Sequence, residues 1–254
     1  MRTETSYAPS RAFAGTTAFL RTEVLVQANE RMAMLTSMVV PGIILIFVLI
    51  LNPGLFPIAL LGAIIFSTFT MGQRVLNEAA YLRIDHKAND LYLAGPMMPE
   101  SYFLGMSVGI LVIYVTPTIF LGILAVFVVP LTLGFGLLLL ALASLVWVFA
   151  ASTGYIFSTF FRDNRAIWAY SSLFFNVFGV LMPVFYPLGL FPAPLHALAL
   201  LLPPSAAAAL LQAGIGATTL SHGEVLLAVG GLVVEATTVF LFAIYWARRT
   251  VRST

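Results

Sequence analysis

The 254-residue sequence has no cysteine and only one lysine. Without cysteine, the chain can form no disulfide framework, no thiolate metal site and no cysteine nucleophile. A phosphate-binding loop needs a lysine within a glycine-rich turn, whereas the single lysine, Lys87, directly follows His86. We therefore expect that the chain does not hydrolyse ATP by that route and holds no cofactor of its own.

Histidine is also scarce, and its three positions argue against catalysis. His86, His196 and His222 lie in separate regions, so they cannot form the helical His and Glu motif of a metalloprotease. The apolar stretches described below contain no histidine or lysine that would serve as the base of an intramembrane serine protease. The sequence thus predicts neither a metal site nor a catalytic site, and the chain is not expected to be an enzyme.

Charged residues make up only 9% of the chain and hydrophobic residues 61%, whereas soluble domains contain roughly 25% charged residues. The mean hydropathy is +1.02. The apolar residues form continuous stretches near the ~20 residues that a membrane-spanning helix needs. The alternating pattern of a transmembrane barrel is not seen. These properties predict an all-α polytopic membrane protein whose partner is the lipid bilayer and not nucleic acid.

Six apolar stretches are predicted to cross the membrane. They cover about residues 34–51, 55–73, 102–128, 135–161, 166–187 and 225–246, which together make one transmembrane domain over 34–246. Residues 1–33 precede it as a tail and a charged, proline-free helix that is predicted to lie along the membrane interface. A polar loop covers 74–100, and residues 247–254 form a short tail.

The twelve basic residues indicate the orientation of these spans. Four precede the first span, three lie in the loop after the second, two follow the fourth and three follow the sixth. With six spans, these four regions share one face of the membrane, and the positive-inside rule assigns that face to the cytoplasm. The sequence therefore predicts a multi-pass protein of the plasma (inner) membrane with both termini in the cytoplasm.

Residues 188–224 form the one segment that could be mistaken for a further span. Residues 195–211 are apolar, but a seventh span would place the arginine-rich tail outside, against the positive-inside rule. The Pro203-Pro204 pair also argues against a full crossing. We predict a re-entrant or interfacial helical hairpin near the outer surface, with an ordinary outer loop as the alternative.

Two sets of residues within the spans are candidates for function. Glu235, near the middle of the sixth span, is either a proton relay or a protonated side chain bonded to a neighbouring helix. The second and fifth spans combine aromatic and small polar residues that could line a path for an amphipathic substrate, or could serve helix packing alone. These residues are Phe66, Phe69, Thr70, Phe174, Phe175, Asn176 and Phe178.

The polar loop contains a further candidate surface. Residues 85–96 are predicted to form a short cytoplasmic helix that ends at Gly95-Pro96. A charged helix on this face is either a docking surface for a partner or a solvated loop.

Taken together, these features resemble the permease subunits of type-2 ABC exporters, the family of daunorubicin-type drug, polysaccharide and lipid exporters. The resemblance covers nearly the whole chain. It rests on the interfacial N-terminal helix, the six spans, residues 87–99, and the proline-bounded stretch 182–194 with Pro203 beyond it. The loop departs from the commoner family pattern, because Lys87 is followed by Ala-Asn-Asp-Leu and not by Gly-Thr-Leu-Glu.

The resemblance implies a type-2 ABC exporter transmembrane fold and a division of labour between chains. A separate cytoplasmic ABC ATPase, present in two copies, would bind ATP and Mg, while two permease chains would form a homodimer or heterodimer. The dimer interface, built largely from spans two and five, would export an amphipathic drug, lipid or glycan-type substrate. The coupling helix in the loop and the N-terminal helix would contact the ATPase, with candidate residues Arg83, Asp85, Lys87, Asn89, Asp90, Arg21 and Glu30.

Two other functions are compatible with the sequence. A proton-coupled secondary transporter would use Glu235 as its carrier, although such folds often contain inverted repeats and we find no convincing repeat. A non-transporting membrane assembly subunit would account for the apolar spans but not for the predicted docking loop. An adjacent reading frame with a phosphate-binding loop would favour the exporter.

Overall fold

The long apolar stretches of the sequence form α-helices. The computed structural model describes residues 36–84, 98–130 and 132–252, together with residues 16, 17, 20, 21, 24 and 25. Within these residues, four helices are long and apolar enough to cross a membrane: Pro53–Ile84, Pro99–Val128, Leu133–Ser158 and His222–Arg249. The chain is therefore an all-α protein, and these helices indicate a multi-pass membrane protein.

Four helices form the first half of the bundle, and short turns join them in pairs. They are α1 (Val39–Leu51), α2 (Phe56–Ile84), α3 (Pro99–Val128) and α4 (Leu133–Ser158). Asn52 shapes the turn into α2, because its side chain accepts a hydrogen bond of 3.1 Å from the Gly54 N–H. Thr132 caps α4 by accepting a bond of 3.2 Å from the Phe135 N–H, which satisfies a donor that has no partner within the helix.

Helix α2 extends beyond the predicted second span. The expected loop begins at Arg74, whereas the helix continues as far as Ile84. The physical reason is that leucine, glutamate, alanine and arginine, which dominate this stretch, are good helix formers. A cation lowers hydropathy but does not end a helix. Arg74 and Arg83 are consequently side chains of α2.

The fifth predicted span is a composite of three helical pieces. Helix α5 (Asn164–Ser172) passes into a π-helical turn (Leu173–Val177) and then into α6 (Phe178–Leu181). Asp163 starts α5 by accepting a hydrogen bond of 3.1 Å from the Arg165 N–H. The helix ends at Leu181, and Met182 is extended, because a residue that precedes proline disfavours the helical conformation.

The segment after α6 returns to pack against the bundle. It contains the short helix α7 (His196–Leu200) and the helix α8 (Pro203–Gly214), and it leads into α9 (His222–Arg252). Helix α8 is buried along almost its whole length against α2, α4 and α9. The structure therefore contains a helical pair within the predicted hairpin 188–224, and its position relative to a membrane stays a prediction.

The two ends of the bundle differ in chemistry. At one end, which we call the arginine end, Arg248 and Glu100 form an ion pair of 2.9 Å. There Trp246 also donates a hydrogen bond of 3.0 Å to the Thr159 hydroxyl. At the opposite end, which we call the Asn52 end, Asn52, Pro187, Gly216 and neighbouring residues surround a cavity. Consecutive long helices therefore run in alternating directions.

Helices α2 and α4 make the closest contact in the bundle interior. A Cβ atom added to Gly154 would overlap the carbonyl oxygen of Gly72, and one added to Gly72 would overlap the carbonyl oxygen of Ala150. Small residues are typical where two helix backbones approach closely in a membrane. This contact fixes the register of α2 against α4.

The helices at the first and fifth predicted spans are shorter than the other four, and six crossings stay a prediction.

Candidate functional site

A polar cavity lies within the apolar bundle, between α1, α2, α3, α5 and the π-helical turn. Its volume is about 180 Å³. The residues that line it are Thr36, Ser37, Val40, Phe66, Ser67, Thr70, Met71, Gln73, Arg74, Tyr114, Pro117, Trp168 and Asn176. Polar side chains therefore converge in a part of the protein where apolar side chains surround them.

Arg74 supplies the charge of the cavity. With a rise of 1.5 Å per residue, it lies about 27 Å along α2 from Phe56 and about 15 Å from Ile84, well inside the helix. Its guanidinium carbon lies 4.9 Å from the centre of the Tyr114 ring, a cation–π distance. Charged side chains on membrane-spanning helices are rare and usually mark a functional position.

Asn176 connects the π-helical turn to α2. Its side-chain amide donates a hydrogen bond of 3.0 Å to Gln73 Oε1 and another of 3.3 Å to the Ser172 hydroxyl. A π-helical turn inserts one extra residue into the helix and is frequent at functional sites. The turn from Leu173 to Val177 thus places an amide on the cavity wall, where it bridges two helices.

Ser67 lies in the same wall, and its buried hydroxyl lacks a hydrogen-bond partner among the described residues. The residue is only 6% exposed. The nearby Thr70 hydroxyl differs, since it donates a bond of 2.9 Å to the Ser67 carbonyl. A buried polar atom without a partner is unfavourable, so the Ser67 hydroxyl is positioned to bond a group in the cavity.

The cavity has one side that is open and one that is closed. Thr36 and Trp168 are exposed, and Trp168 has 59% of its surface accessible. Tyr114 and Pro117 of α3, in contrast, are buried. The cavity therefore opens on the side of the bundle, between the start of α1 and helix α5. We call this opening the mouth of the cavity.

The structure brings together the residues predicted to form a substrate path on spans two and five. The Phe69 ring lies 5.0 Å from Phe175 and 6.3 Å from Phe174. Phe66, Thr70 and Asn176 line the cavity, whereas Phe69 and Phe175 are buried in the core and Phe178 is 50% exposed. The two spans are in contact within the chain; their use as a substrate path and as a dimer interface stays a prediction.

The residues predicted to contact an ATPase have different surroundings. Arg83 is engaged within the chain, where its guanidinium donates hydrogen bonds to the carbonyls of Ser158, Thr159 and Phe161 at the end of α4. Arg21 is helical and exposed, and the nearby Val24 packs against a hydrophobic cluster formed by α2, α3, α4 and α9. Five of these residues lie outside the described residues: Glu30, Asp85, Lys87, Asn89 and Asp90.

Glu235 lies within α9, as the sequence indicates. Its Oε2 atom is buried and has no hydrogen-bond partner among the described residues. The alternative in which a neighbouring helix satisfies this oxygen is therefore not seen in the described part of the chain. A role in proton transfer stays a prediction.

Sequence reasoning missed most of the cavity. It assigned Arg74 to a loop and did not single out Gln73, Ser67, Tyr114 or Trp168 as site residues. The sequence did contain one indication of a polar site on α2: Gln73 and Arg74 come shortly after Ser67, Thr68 and Thr70, within an otherwise apolar stretch. The partners on α3 and α5 had no comparable signal.

Two comparisons with known proteins, one against family profiles and one against curated sequences, found no match for this chain. The four long apolar helices therefore indicate an all-α, multi-pass membrane protein, and the described residues form a polar cavity inside its helical bundle.

Proposed function

We propose that this chain is the membrane permease subunit of an ATP-driven exporter of amphipathic molecules. The observation that carries the proposal is the polar cavity, which lies between α2 and α5 and has a lateral mouth beside Trp168. An amphipathic substrate could enter such a site from the plane of the membrane. In this proposal, transport is a conformational process, and no covalent chemistry takes place in the chain.

The proposed membrane frame has six crossings, with the arginine end in the cytoplasm. The alternating directions of the helices support it, as do Arg83, Arg162, Arg165 and Arg248 at one end of the bundle. The 13-residue helix α1 covers only about 20 Å at 1.5 Å per residue, less than the ~30 Å hydrocarbon core. The frame therefore places the Thr36 end of α1 within the membrane, near the mouth of the cavity.

The proposed energy source is a separate ABC ATPase, which would be present in two copies with two permease chains. The resemblance to type-2 ABC exporters supports this assignment, and the chain has no phosphate-binding loop of its own. The ATPase would bind ATP and Mg and act on the loop that follows α2. Arg83 ties the start of that loop to the end of α4, so a push on the loop would reach both helices.

Copurification with a candidate ATPase tests this proposal. The chain would be expressed with the ATPase from a neighbouring reading frame, reconstituted in lipid, and assayed for ATP hydrolysis in the presence of amphipathic compounds. We expect a stable complex whose hydrolysis rate rises with at least one compound class. Absence of a complex, together with export that stops when the proton gradient is dissipated, would contradict the proposal.

The second candidate function is proton-coupled transport. It is favoured by one observation, the buried and unpartnered Oε2 atom of Glu235 among the described residues. This carboxylate is not among the residues that line the cavity, so the exporter remains the better-supported function. A non-transporting assembly subunit is the third reading, and it would show neither stimulated hydrolysis nor transport.

A further inference from the structure

We infer that the polar cavity binds an uncharged, hydroxyl-bearing headgroup, such as the sugar of a glycosylated lipid. The apolar chain of this ligand would remain outside the cavity. The inference deepens the proposed function and rests on it only where the ligand is called a transport substrate. The binding itself is argued from the cavity alone.

The one charged side chain among the described lining residues is already engaged by the protein. The Arg74 guanidinium lies over the Tyr114 ring, with 4.9 Å between its carbon and the ring centre, and both residues make further interactions within the chain. Thr36 and Ser37, which also line the cavity, are engaged as well. We therefore ascribe recognition of a ligand to the neutral side chains of the cavity.

Three neutral side chains retain hydrogen-bonding groups that no described residue uses. The Ser67 hydroxyl is buried and without a partner in the described part of the chain. The Asn176 amide donates to Gln73 Oε1 and to the Ser172 hydroxyl, which leaves Asn176 Oδ1 as an acceptor and the Gln73 NH₂ group as a donor. The cavity thus offers one donor group, one acceptor and one hydroxyl that can act as either.

This mixture of groups selects against ions. A carboxylate only accepts hydrogen bonds, so it would oppose the acceptor Asn176 Oδ1. An ammonium group only donates, so it would oppose the Gln73 NH₂ group. A hydroxyl both donates and accepts, and neighbouring hydroxyls on one ring can satisfy all three protein groups. Because buried polar groups are unfavourable until they are bonded, the cavity favours a ligand that carries several hydroxyls.

The size of the cavity limits which part of the ligand it can hold. Its volume of about 180 Å³ is below the range of roughly 300–1,000 Å³ that is typical of pockets for whole drug-sized ligands. A headgroup fits this space, where Phe66 and Pro117 offer apolar surface to its carbon atoms. The apolar remainder would extend through the mouth beside Trp168, along the 51% exposed Leu173 and the 50% exposed Phe178.

Trp168 provides a direct measurement of binding. The chain has three tryptophans, and replacing Trp147 and Trp246 by phenylalanine leaves Trp168 as the only one. This single-tryptophan permease, without any ATPase, would be reconstituted in phosphatidylcholine nanodiscs. It would be titrated with dibrominated glucosyl diacylglycerol, phosphatidylcholine or phosphatidic acid, all with identical acyl chains. Bromine quenches tryptophan fluorescence on contact, so the titrations report the occupancy of the mouth.

We expect quenching at about tenfold lower mole fraction of the glucosyl lipid than of either phospholipid, the effect of one or two neutral hydrogen bonds. Ser67→Ala should remove most of this preference, and it should fold normally because the hydroxyl has no described partner to lose. The matched control is Ser152→Ala. Its hydroxyl is equally buried and also lacks a partner among the described residues, but it lies on α4 and does not line the cavity.

Three results would overturn the inference. Equal quenching by the three lipids would mean that the cavity holds only water, and stronger quenching by phosphatidic acid would mean that it selects an anion. A preference that Ser67→Ala and Ser152→Ala reduce equally would mean that the cavity does not read the headgroup.

A second measurement needs no substitution at Ser67. Unbrominated glucosyl diacylglycerol should reverse the quenching at much lower mole fraction than unbrominated phosphatidylcholine, and equal reversal would also overturn the inference. Reversal by excess free glucose would show that the headgroup alone suffices, whereas reversal by the glycolipid alone would show that the apolar chain is required. Both of these last results support a site for a hydroxyl-bearing headgroup.

The outcome of these titrations is separable from the test of the proposed function. They use the permease alone, without ATP. Loss of the preference for the glucosyl lipid would leave the exporter proposal in place with a different ligand. Failure to bind an ATPase would remove the exporter and leave the headgroup site as a measured property of the chain.

Discussion

The guanidinium of Arg83 donates a hydrogen bond of 2.7 Å to the backbone carbonyl of Phe161. It also donates to the carbonyl of Ser158, the last residue of α4, and to that of Thr159, which follows the helix; carbonyls at a helix C-terminus have no partner further along the helix. A side chain at the end of α2 thus caps a different helix, and a basic residue is favourable at that terminus. This relationship joins the start of the polar loop to the end of α4.

The first prediction concerns this cap. Arg83→Gln should destabilise the protein by about 1–2 kcal/mol, a value reduced for the half-exposed position of the guanidinium. Thermal unfolding in detergent or nanodiscs measures the effect. Arg162→Gln is the control, because it removes a nearby exposed arginine and should change the unfolding free energy by less than about 0.5 kcal/mol. Equal effects of the two substitutions would contradict the cap.

The second prediction concerns the contact between α2 and α4. Gly154→Ala places a methyl group onto the Gly72 carbonyl, so the two helices must move apart at a cost of about 1–3 kcal/mol. Gly136→Ala, on the same helix, has nothing within 4 Å of the added atom and should be neutral or slightly stabilising. Unfolding transitions of the two variants test this difference, and an unaltered midpoint for Gly154→Ala would refute the close approach.

The third prediction concerns the hydrogen bond between Asn176 and Gln73. A double-mutant cycle with Asn176→Ala and Gln73→Ala should give a coupling energy of about 0.6 kcal/mol, with roughly 1.7 as the upper end for such bonds in membranes. The control cycle combines Asn176→Ala with Ser144→Ala, whose hydroxyl, among the described residues, bonds to the Leu140 carbonyl within α4. That control should show no coupling. Strictly additive effects in the first cycle would mean that the bond contributes nothing.

The fourth prediction concerns topology, and the absence of cysteine makes it simple to test. In intact cells, a bulky impermeant thiol reagent should label Thr219→Cys, which is exposed near the Asn52 end. It should label Arg162→Cys only after permeabilisation. Ala207→Cys should resist labelling in both conditions, because Ala207 is 0% exposed within α8. Labelling of Arg162→Cys from outside would reverse the proposed orientation.

The fifth prediction separates the two transport mechanisms. Under the exporter proposal, Glu235→Gln should leave ATP-dependent export and its pH profile unchanged, since Glu235 does not line the cavity. Glu224→Gln is the matched control, because this exposed carboxylate bonds only to Ser221 among the described residues, at 2.7 Å from its backbone N–H. Export that loses its pH dependence in Glu235→Gln alone would favour the proton-coupled transporter.

Hydropathy predicted the four long helices, and it gave the bounds of α3 and α4 within about three residues, because continuous apolar stretches of this length have few other stable structures in lipid. It did not predict that α2 continues past Arg74. A hydropathy window responds to a single cation, whereas a helix backbone does not, provided that the side chain finds favourable surroundings such as the Tyr114 ring.

The candidate path was partly predictable. The aromatic and small polar residues of the second and fifth spans were identified together, and Phe69, Thr70, Phe175 and Asn176 do meet there. Their roles differ, however, since two rings fill the core and the two polar residues face the cavity. Composition cannot separate these roles, because they depend on which side of the helix each residue occupies once its neighbours are in place.

The amino-acid sequence by itself determined the class of the protein and the approximate course of its helices, since apolar content, turn residues such as Asn52 and Thr132, and the distribution of basic residues are local properties. The tertiary structure alone decided which side chains share the cavity. Arg74 comes from α2, Tyr114 from α3, and Trp168 and Asn176 from α5 and the π-helical turn that continues it. Their meeting depends on the register set by the Gly72 and Gly154 contact and on the extra residue of the π-helical turn. Both are products of helix packing, and neither has a sequence pattern that predicts it.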